Sequence, residues 1–175
     1  MKISIKRNKK IWTLWENFCE IAGTWECLKR LHIELFGGLF DFAGEIRSKN
    51  ISKNGFRFAN AIFIEANIPI IERMPQKNFE EILEKYIEMN ILHPFREGNG
   101  RTMRLWFDAM LEKELKTRVN WIKISREKYL SAMQRSPVNS LELEILLKNF
   151  LIPSDLLNDS VIFMKDLSAS YSYEI

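Results

Sequence analysis

Two cysteines, Cys19 and Cys27, are too few for a disulfide framework and lack a C-x-x-C spacing. Both fall in helix-like segments and read as reduced core thiols. An excess of one charge is missing too: 26 Lys and Arg against 23 Asp and Glu leave a net charge of +3. A nucleic-acid binder normally carries a stronger, clustered basic surplus. The basic cluster Lys6-Arg7-Asn8-Lys9-Lys10 reads as a solvated tail, so no direct nucleic-acid partner is expected. No run is long and apolar enough to span a bilayer. Met1 is followed by Lys2-Ile3-Ser4-Ile5 and then charges, without the apolar stretch of a signal peptide. These absences predict a cytoplasmic protein with no membrane partner. Internal repeats, low-complexity stretches and linkers are also missing. Residues 1–175 therefore read as a single domain, long enough to bury a core. Twelve Phe and five Trp supply its large pieces.

What is present is mostly helical periodicity. Ile11, Trp12, Leu14, Trp15, Phe18 and Cys19 recur at helical spacing up to Gly23. Thr24 is an N-cap for a helix whose stripe is Trp25, Leu28, Leu31, Leu35 and Phe36, with Gly37-Gly38 as its C-cap. His32 beside that stripe reads as a structural histidine, because no Cys, Asp or second His shares its spacing. Residues 39–47 carry aromatics without a long period. Asn54-Gly55 then predicts a tight turn, and Phe56-Arg57-Phe58 alternates as a strand does. The expectation is a small β-hairpin leaning on a helical body, with one backbone edge open. Ala59 to Ile71 reads as a helix ended or kinked by Pro69. Asn78 caps a helix running to about His93, stopped by Pro94. Arg101 to Leu115 forms the next helix; Ser125 caps another, Asn139 caps Leu141 to Phe150, and Pro153 with Asp155 marks a turn. Asp159-Ser160 opens a last helix into the C-terminal tail. The fold class is mainly α: a helical bundle carrying one hairpin.

Chemistry concentrates in the loop between the two strongest helices, His93-Pro94-Phe95-Arg96-Glu97-Gly98-Asn99-Gly100-Arg101. His93 carries a proton near neutral pH and suits a general base, or else answers a helix dipole. Phe95 is apolar in a polar loop and is expected to plug into the core. Glu97 is a hard oxygen donor suited to Mg²⁺, or else a solvated carboxylate. Gly98-Asn99-Gly100 at a helix N-terminus can aim backbone N–H groups at an anion, unless Asn99 is only a cap. Arg101 and Arg104, at i and i+3, share a helix face and can clamp a polyphosphate, or else are two surface arginines. Base, metal ligand, anion nest and clamp in one short stretch favour the joint functional reading. The loop is not a Walker A sequence, since G-x-x-x-x-G-K-(S/T) is absent, and H-E-x-x-H is absent as well.

Continued by Thr102-Met103-Arg104, this stretch resembles the Fic family signature H-P-F-x-(D/E)-G-N-G-R-x-x-R at every fixed position. The segments Leu39-Phe40-Asp41-Phe42-Ala43-Gly44-Glu45-Ile46-Arg47 and Gly55-Phe56-Arg57-Phe58-Ala59 are also similar to that family, so the likeness covers about residues 30 to 150. It implies protein AMPylation: transfer of AMP from ATP to a Tyr, Ser or Thr hydroxyl of a target protein, with release of pyrophosphate. On that likeness His93 deprotonates the hydroxyl and Glu97 holds Mg²⁺ between the α- and β-phosphates. Backbone amides at Gly98, Asn99 and Gly100 receive the anion, with Arg101 on the β-phosphate and Arg104 on the γ-phosphate. The hairpin, residues Gly55, Phe56, Arg57 and Phe58, resembles a flap whose open edge pairs with the target.

Ser170-Tyr171-Ser172-Tyr173-Glu174 resembles the inhibitory motif (S/T)-x-x-x-E-(G/N) of a self-inhibited Fic subclass, with Ile175 as a departure from it. The resemblance implies an inhibitory helix over 159–175, in which Ser170 and Glu174 face one way and Glu174 pairs with Arg104. Tyr171 and Tyr173 are then candidates for self-modification. It further implies, for that subclass, a bacterial type II topoisomerase subunit as target, and exposed aromatics leave room for a homo-oligomer that pins the tail. Two other readings remain open. One is a different transfer, or AMP removal, on the same scaffold. The other is a non-catalytic nucleotide-binding or interaction module, although binding alone has no need of a base at His93.

Overall fold

The structure, a computed structural model, describes residues 15–154. The basic cluster at 6–10, the predicted tail helix over 159–175 and its residues Ser170, Tyr171, Tyr173 and Glu174 lie outside the described residues. Helix α1 occupies residues 15–20. It is followed by α2 (Trp25–Phe36), the strands β1 (Ser52–Lys53) and β2 (Phe56–Arg57), then α3 (Ile64–Glu72), α4 (Phe79–Leu92) and α5 (Asn99–Leu115). Strand β3 (Thr117–Val119), helices α6 (Arg126–Arg135) and α7 (Leu141–Lys148) and strand β4 (Leu151–Pro153) complete the described chain. The architecture is mainly helical, with two small antiparallel strand pairs, β1–β2 and β3–β4.

Helix α5 is the axis. Met103, Trp106, Phe107, Ala109, Met110 and Leu111 are fully buried along it, against α2 on one side and α4 on the other. Each large apolar side chain so buried stabilises the fold by roughly 1.5–3 kcal/mol. Polar tethers fix its register. Trp106 Nε1 donates to Thr24 O (3.0 Å), and Asp108 accepts from Val119 N (3.1 Å) and Trp121 Nε1 (2.8 Å). Burial pushes the Asp108 carboxyl up to about 7. Tyr86 of α4 and Tyr129 of α6 share a hydroxyl–hydroxyl bond in the same interior.

Local signals placed most helices. Thr24 accepts from Cys27 N, Asn78 from Glu81 N and Ser125 from Lys128 N, each a side-chain N-cap. Cys19 and Cys27 are free thiols, both pushed up to about 12, chiefly by burial. Pro69 sits inside α3, which runs on to Glu72, so it does not end the helix. Past it, Lys85 of α4 donates to Glu72 O (2.9 Å) and Met74 O (3.3 Å). Gly37 is the C-cap of α2, as expected, with φ −61°. Pro153 belongs to β4, which pairs with β3 from Thr117↔Pro153 to Val119↔Leu151, where only a turn was expected.

Candidate active site

Helix α4 ends at His93, whose left-handed backbone (φ 49°, ψ 63°) costs a non-glycine residue about 1–2 kcal/mol. The reversal sets the imidazole face to face with Phe58 at the foot of the hairpin (centroids 3.6 Å, 19°). Its Nδ1 lies 3.2 Å from Asn90 O. A carbonyl oxygen only accepts, so Nδ1 carries the hydrogen and Nε2 keeps a lone pair. Burial is the largest cause that pushes the His93 imidazole down to about 3, and the charges of Lys53 and Arg47 add to it. The ring therefore does not titrate near neutrality, as its residue type alone suggested. It is neutral and able to take a proton throughout that range.

The loop after His93 is held rigidly from below. Phe95 is fully buried, stacked on Trp25 (5.5 Å) and His32 (3.9 Å), as a plug should be. His32 is itself fully buried, accepts from Gly44 N at Nδ1 (2.9 Å) and donates from Nε2 to Glu97 O (2.8 Å). Asn99 turns back on the loop: Oδ1 accepts from Phe95 N (2.9 Å) and Nδ2 donates to Phe95 O (2.7 Å). Its side chain therefore shapes the bend, while its backbone N–H belongs to the first turn of α5. N–H groups of a first turn have no partner within the helix and carry the positive end of its dipole. Gly98, with φ 78°, supplies the left-handed entry to α5. A Cβ there would meet the Phe36 ring at 2.3 Å.

Above the loop lies a cavity of about 280 Å³ whose lining includes His93, Arg96, Glu97, Gly98, Asn99, Gly100 and Arg101. Its far wall is Phe36, Leu39 and Phe40 on one side and Ile51, Ser52 and Lys53 of the hairpin on the other. Histidine, helix N-terminus, carboxylate and two arginines, Arg96 and Arg101, thus meet in one concavity. Arg104 does not join that lining. It is buried, with its guanidinium carbon 5.9 Å from the ring centroids of both Trp121 and Tyr129. Glu97 is exposed at the rim. Among the described residues no group of three or more His, Cys, Asp or Glu could hold a metal ion. A single carboxylate suits Mg²⁺ bound mostly by substrate phosphates, and that donor set is the one present.

The hairpin turns at Asn54 (φ 47°) and Gly55 (φ 80°), the conformation that the Asn-Gly pair favours. Of the four residues expected to dock a target, Phe56 and Phe58 line a second cavity of about 50 Å³, with Asn54, Asn90, Leu130, Met133 and Gln134. Gly55 and Arg57 are exposed. Beside His93 the hairpin places Phe58, stacked on the ring, and, on the wall of the larger cavity, Ile51, Ser52 and Lys53.

One residue of the site had no role in the sequence reading. Arg47 is buried, and its guanidinium donates to Lys49 O (2.7 Å), Ala59 O (2.6 Å), Leu92 O (3.1 Å) and His93 O (2.7 Å). Its backbone N–H donates to Pro94 O (2.8 Å). Both feet of the hairpin and the end of α4 are tied to this side chain. An arginine set behind the apolar segment 39–46 was the available signal.

Fold and site together define a chain with a helical bundle, a hairpin and a histidine loop at a helix N-terminus. It belongs to the Fic/DOC family, which matches residues 24–111. The chain is similar to the protein adenylyltransferase VbhT of Bartonella schoenbuchensis, at 32% identity over 118 residues, covering 60% of this chain and 24% of that protein. It is also similar to the probable protein adenylyltransferase Fic of Escherichia coli (strain K12), at 27% identity, covering 65% of this chain and 62% of that protein. The chain thus spans less than two thirds of either relative. Among solved structures, BepC of Bartonella tribocorum with bound AMPPNP shares the fold, with TM-score 0.68, 19% identity and 87% of each chain covered.

Proposed function

We propose that this protein transfers AMP from ATP to a hydroxyl side chain of a target protein. The observation that carries the reading is the bare Nε2 of a neutral His93 on the wall of the cavity that the N-terminus of α5 opens into. Similarity to proteins named adenylyltransferase, and to one holding AMPPNP, favours ATP as donor. The triphosphate lies along Gly98, Asn99, Gly100 and Arg101, where first-turn amides and a guanidinium answer its charge. The adenine packs at the mouth of the smaller cavity, whose lining offers the apolar side chains of Phe56, Phe58, Leu130 and Met133 and the amide groups of Asn54, Asn90 and Gln134. Glu97 would hold Mg²⁺, which supplies charge neutralisation on the phosphates.

In the transfer, the acceptor oxygen bonds to the α-phosphorus and gives its proton to His93 Nε2. The bond from the α-phosphorus to the oxygen bridging to the β-phosphate breaks, and its electron pair leaves with pyrophosphate. The protein acts by positioning and by charge stabilisation. The target strand adds to the β1 edge at Ile51–Lys53, the side of the hairpin that reaches His93. A bacterial type II topoisomerase subunit is the target class, on the family resemblance. Residues 159–175 act as a brake, with Glu174 as the inhibiting carboxylate.

His93→Ala is expected to abolish label transfer from α-labelled ATP to proteins of a bacterial lysate while the far-UV spectrum is unchanged. Transfer at the wild-type rate would remove His93 from this role. An adduct mass other than that of AMP would favour another phosphate-ester transfer on the same scaffold.

A further inference from the structure

Lys53 stands where the two cavities meet. It lines the larger one with His93 and the α5 terminus, and the smaller one with Phe56, Phe58 and Asn90. A nucleotide with its base toward the second and its β- and γ-phosphates in the first passes Lys53 with the ribose and α-phosphate that lie between them. The side chain is half-buried, and among the described residues no carboxylate or carbonyl accepts a hydrogen bond from its ammonium. Its backbone is fixed. Lys53 pairs with Phe56 across the turn, and Asn54 O accepts from Gln134 Nε2 of α6 (3.3 Å). Lys53 and the neutral His93 both line the larger cavity. Arg47 behind that ring is already occupied by four carbonyls. Arg101 and the first turn of α5 are placed for the outer phosphates, and Arg96 stands over the Phe42 ring at 4.6 Å. No other described cation lines both cavities.

We propose that Lys53 is a catalytic residue, whose ammonium contacts the α-phosphoryl group as it passes from pyrophosphate to the acceptor oxygen. The inference rests on the AMP-transfer reading above. As the acceptor bond forms and the bridging bond breaks, negative charge spreads over the non-bridging α-oxygens. A cation carried on this fixed backbone, on the same cavity wall as His93, stabilises the transition state more than the ground state. Lys53 gives up no proton; the acceptor proton goes to His93. The electrostatic influence of Lys53 on the His93 ring agrees with their closeness.

The test compares wild type, Lys53→Met and Lys53→Arg in the full chain. Single-turnover label transfer from [α-32P]ATP and Mg²⁺ to lysate proteins is measured beside calorimetric binding of α,β-methylene-ATP. Lys53→Met is expected to slow transfer about 100-fold, the scale of removing one preorganised donor, with analogue affinity changed less than about threefold. Lys53→Arg is expected to restore most of the rate. Unaltered melting curves show that the hairpin substitution leaves the body folded. Wild-type transfer by Lys53→Met overturns the proposal, and so does a loss of analogue affinity as large as the loss of rate. Analogue binding without any transfer by either the wild-type protein or its Glu174→Gly variant, in which the proposed brake is removed, overturns the AMP-transfer reading itself, and this proposal with it.

Discussion

The imidazole of His93 is kept neutral by its surroundings, and that has two measurable consequences. Its folded value of about 3 lies below the ordinary 6.5, so the unfolded chain binds the extra proton. Its contribution to stability is full above about 6.5 and is lost as pH falls from there through about 3. His32 is depressed in the same direction, chiefly by burial, and has the same sign. Urea midpoints are expected to be level from pH 8 to 7 and to fall below pH 6, less steeply in His93→Ala. For catalysis, kcat/KM reports the free enzyme; it is expected to show no acid limb at pH 6.5, where an ordinary histidine base is half-protonated. At this scale the motif announced His93, Glu97 and Arg101. It left the office of Arg47 unmarked, and His32 legible only as a structural histidine, because their partners are backbone groups, which have no letter in a sequence. Arg47→Met, which strips four carbonyls of their donor, is expected to cost about 3 kcal/mol in chemical denaturation.

Elements were legible where a local signal stood at their edge. Asn78 and Ser125 announced α4 and α6, and Asn54-Gly55 announced the hairpin. The pairing of β3 with β4 was illegible, since Thr117–Val119 is too short to show alternation and its partner lies far along the chain. The end of α3 is tied to α4 by Lys85 on Glu72 O, a contact between elements that no local signal announces. Arg104 shows the limit of helical spacing. It shares a face with Arg101 on paper, yet it turns inward to Trp121 and Tyr129, because elements later in the chain enclose that side of α5. The junction of the loop with α5 carries its own prediction. Gly98→Ala combines a positive φ with a Cβ 2.3 Å from Phe36. It is expected to weaken ATP binding at least about tenfold by calorimetry, whereas Gly55→Ala, with open space around it, is expected to change binding little.

For the whole molecule, α5 carries the candidate site at its N-terminus and the departure of the tail near its other end. Ser154 N donates to Lys116 O, just past the helix (3.0 Å). A tail that restrains the site must run back along the 17 residues of α5, about 25 Å. The chain beyond Ser154 is long enough to do so. Glu174→Gly is expected to raise the initial rate of label transfer severalfold, and equal rates would mean that the tail is no brake. No helix among the described residues is long and apolar enough to cross a membrane.

The guanidinium of Arg47 gives the hairpin and the end of α4 a common datum. Whatever tilts the hairpin shifts the His93 end of α4 with it. Under the proposed function, partner choice and turnover are therefore geared together, and a lineage that drifts toward a new partner will have to retune its rate in the same steps.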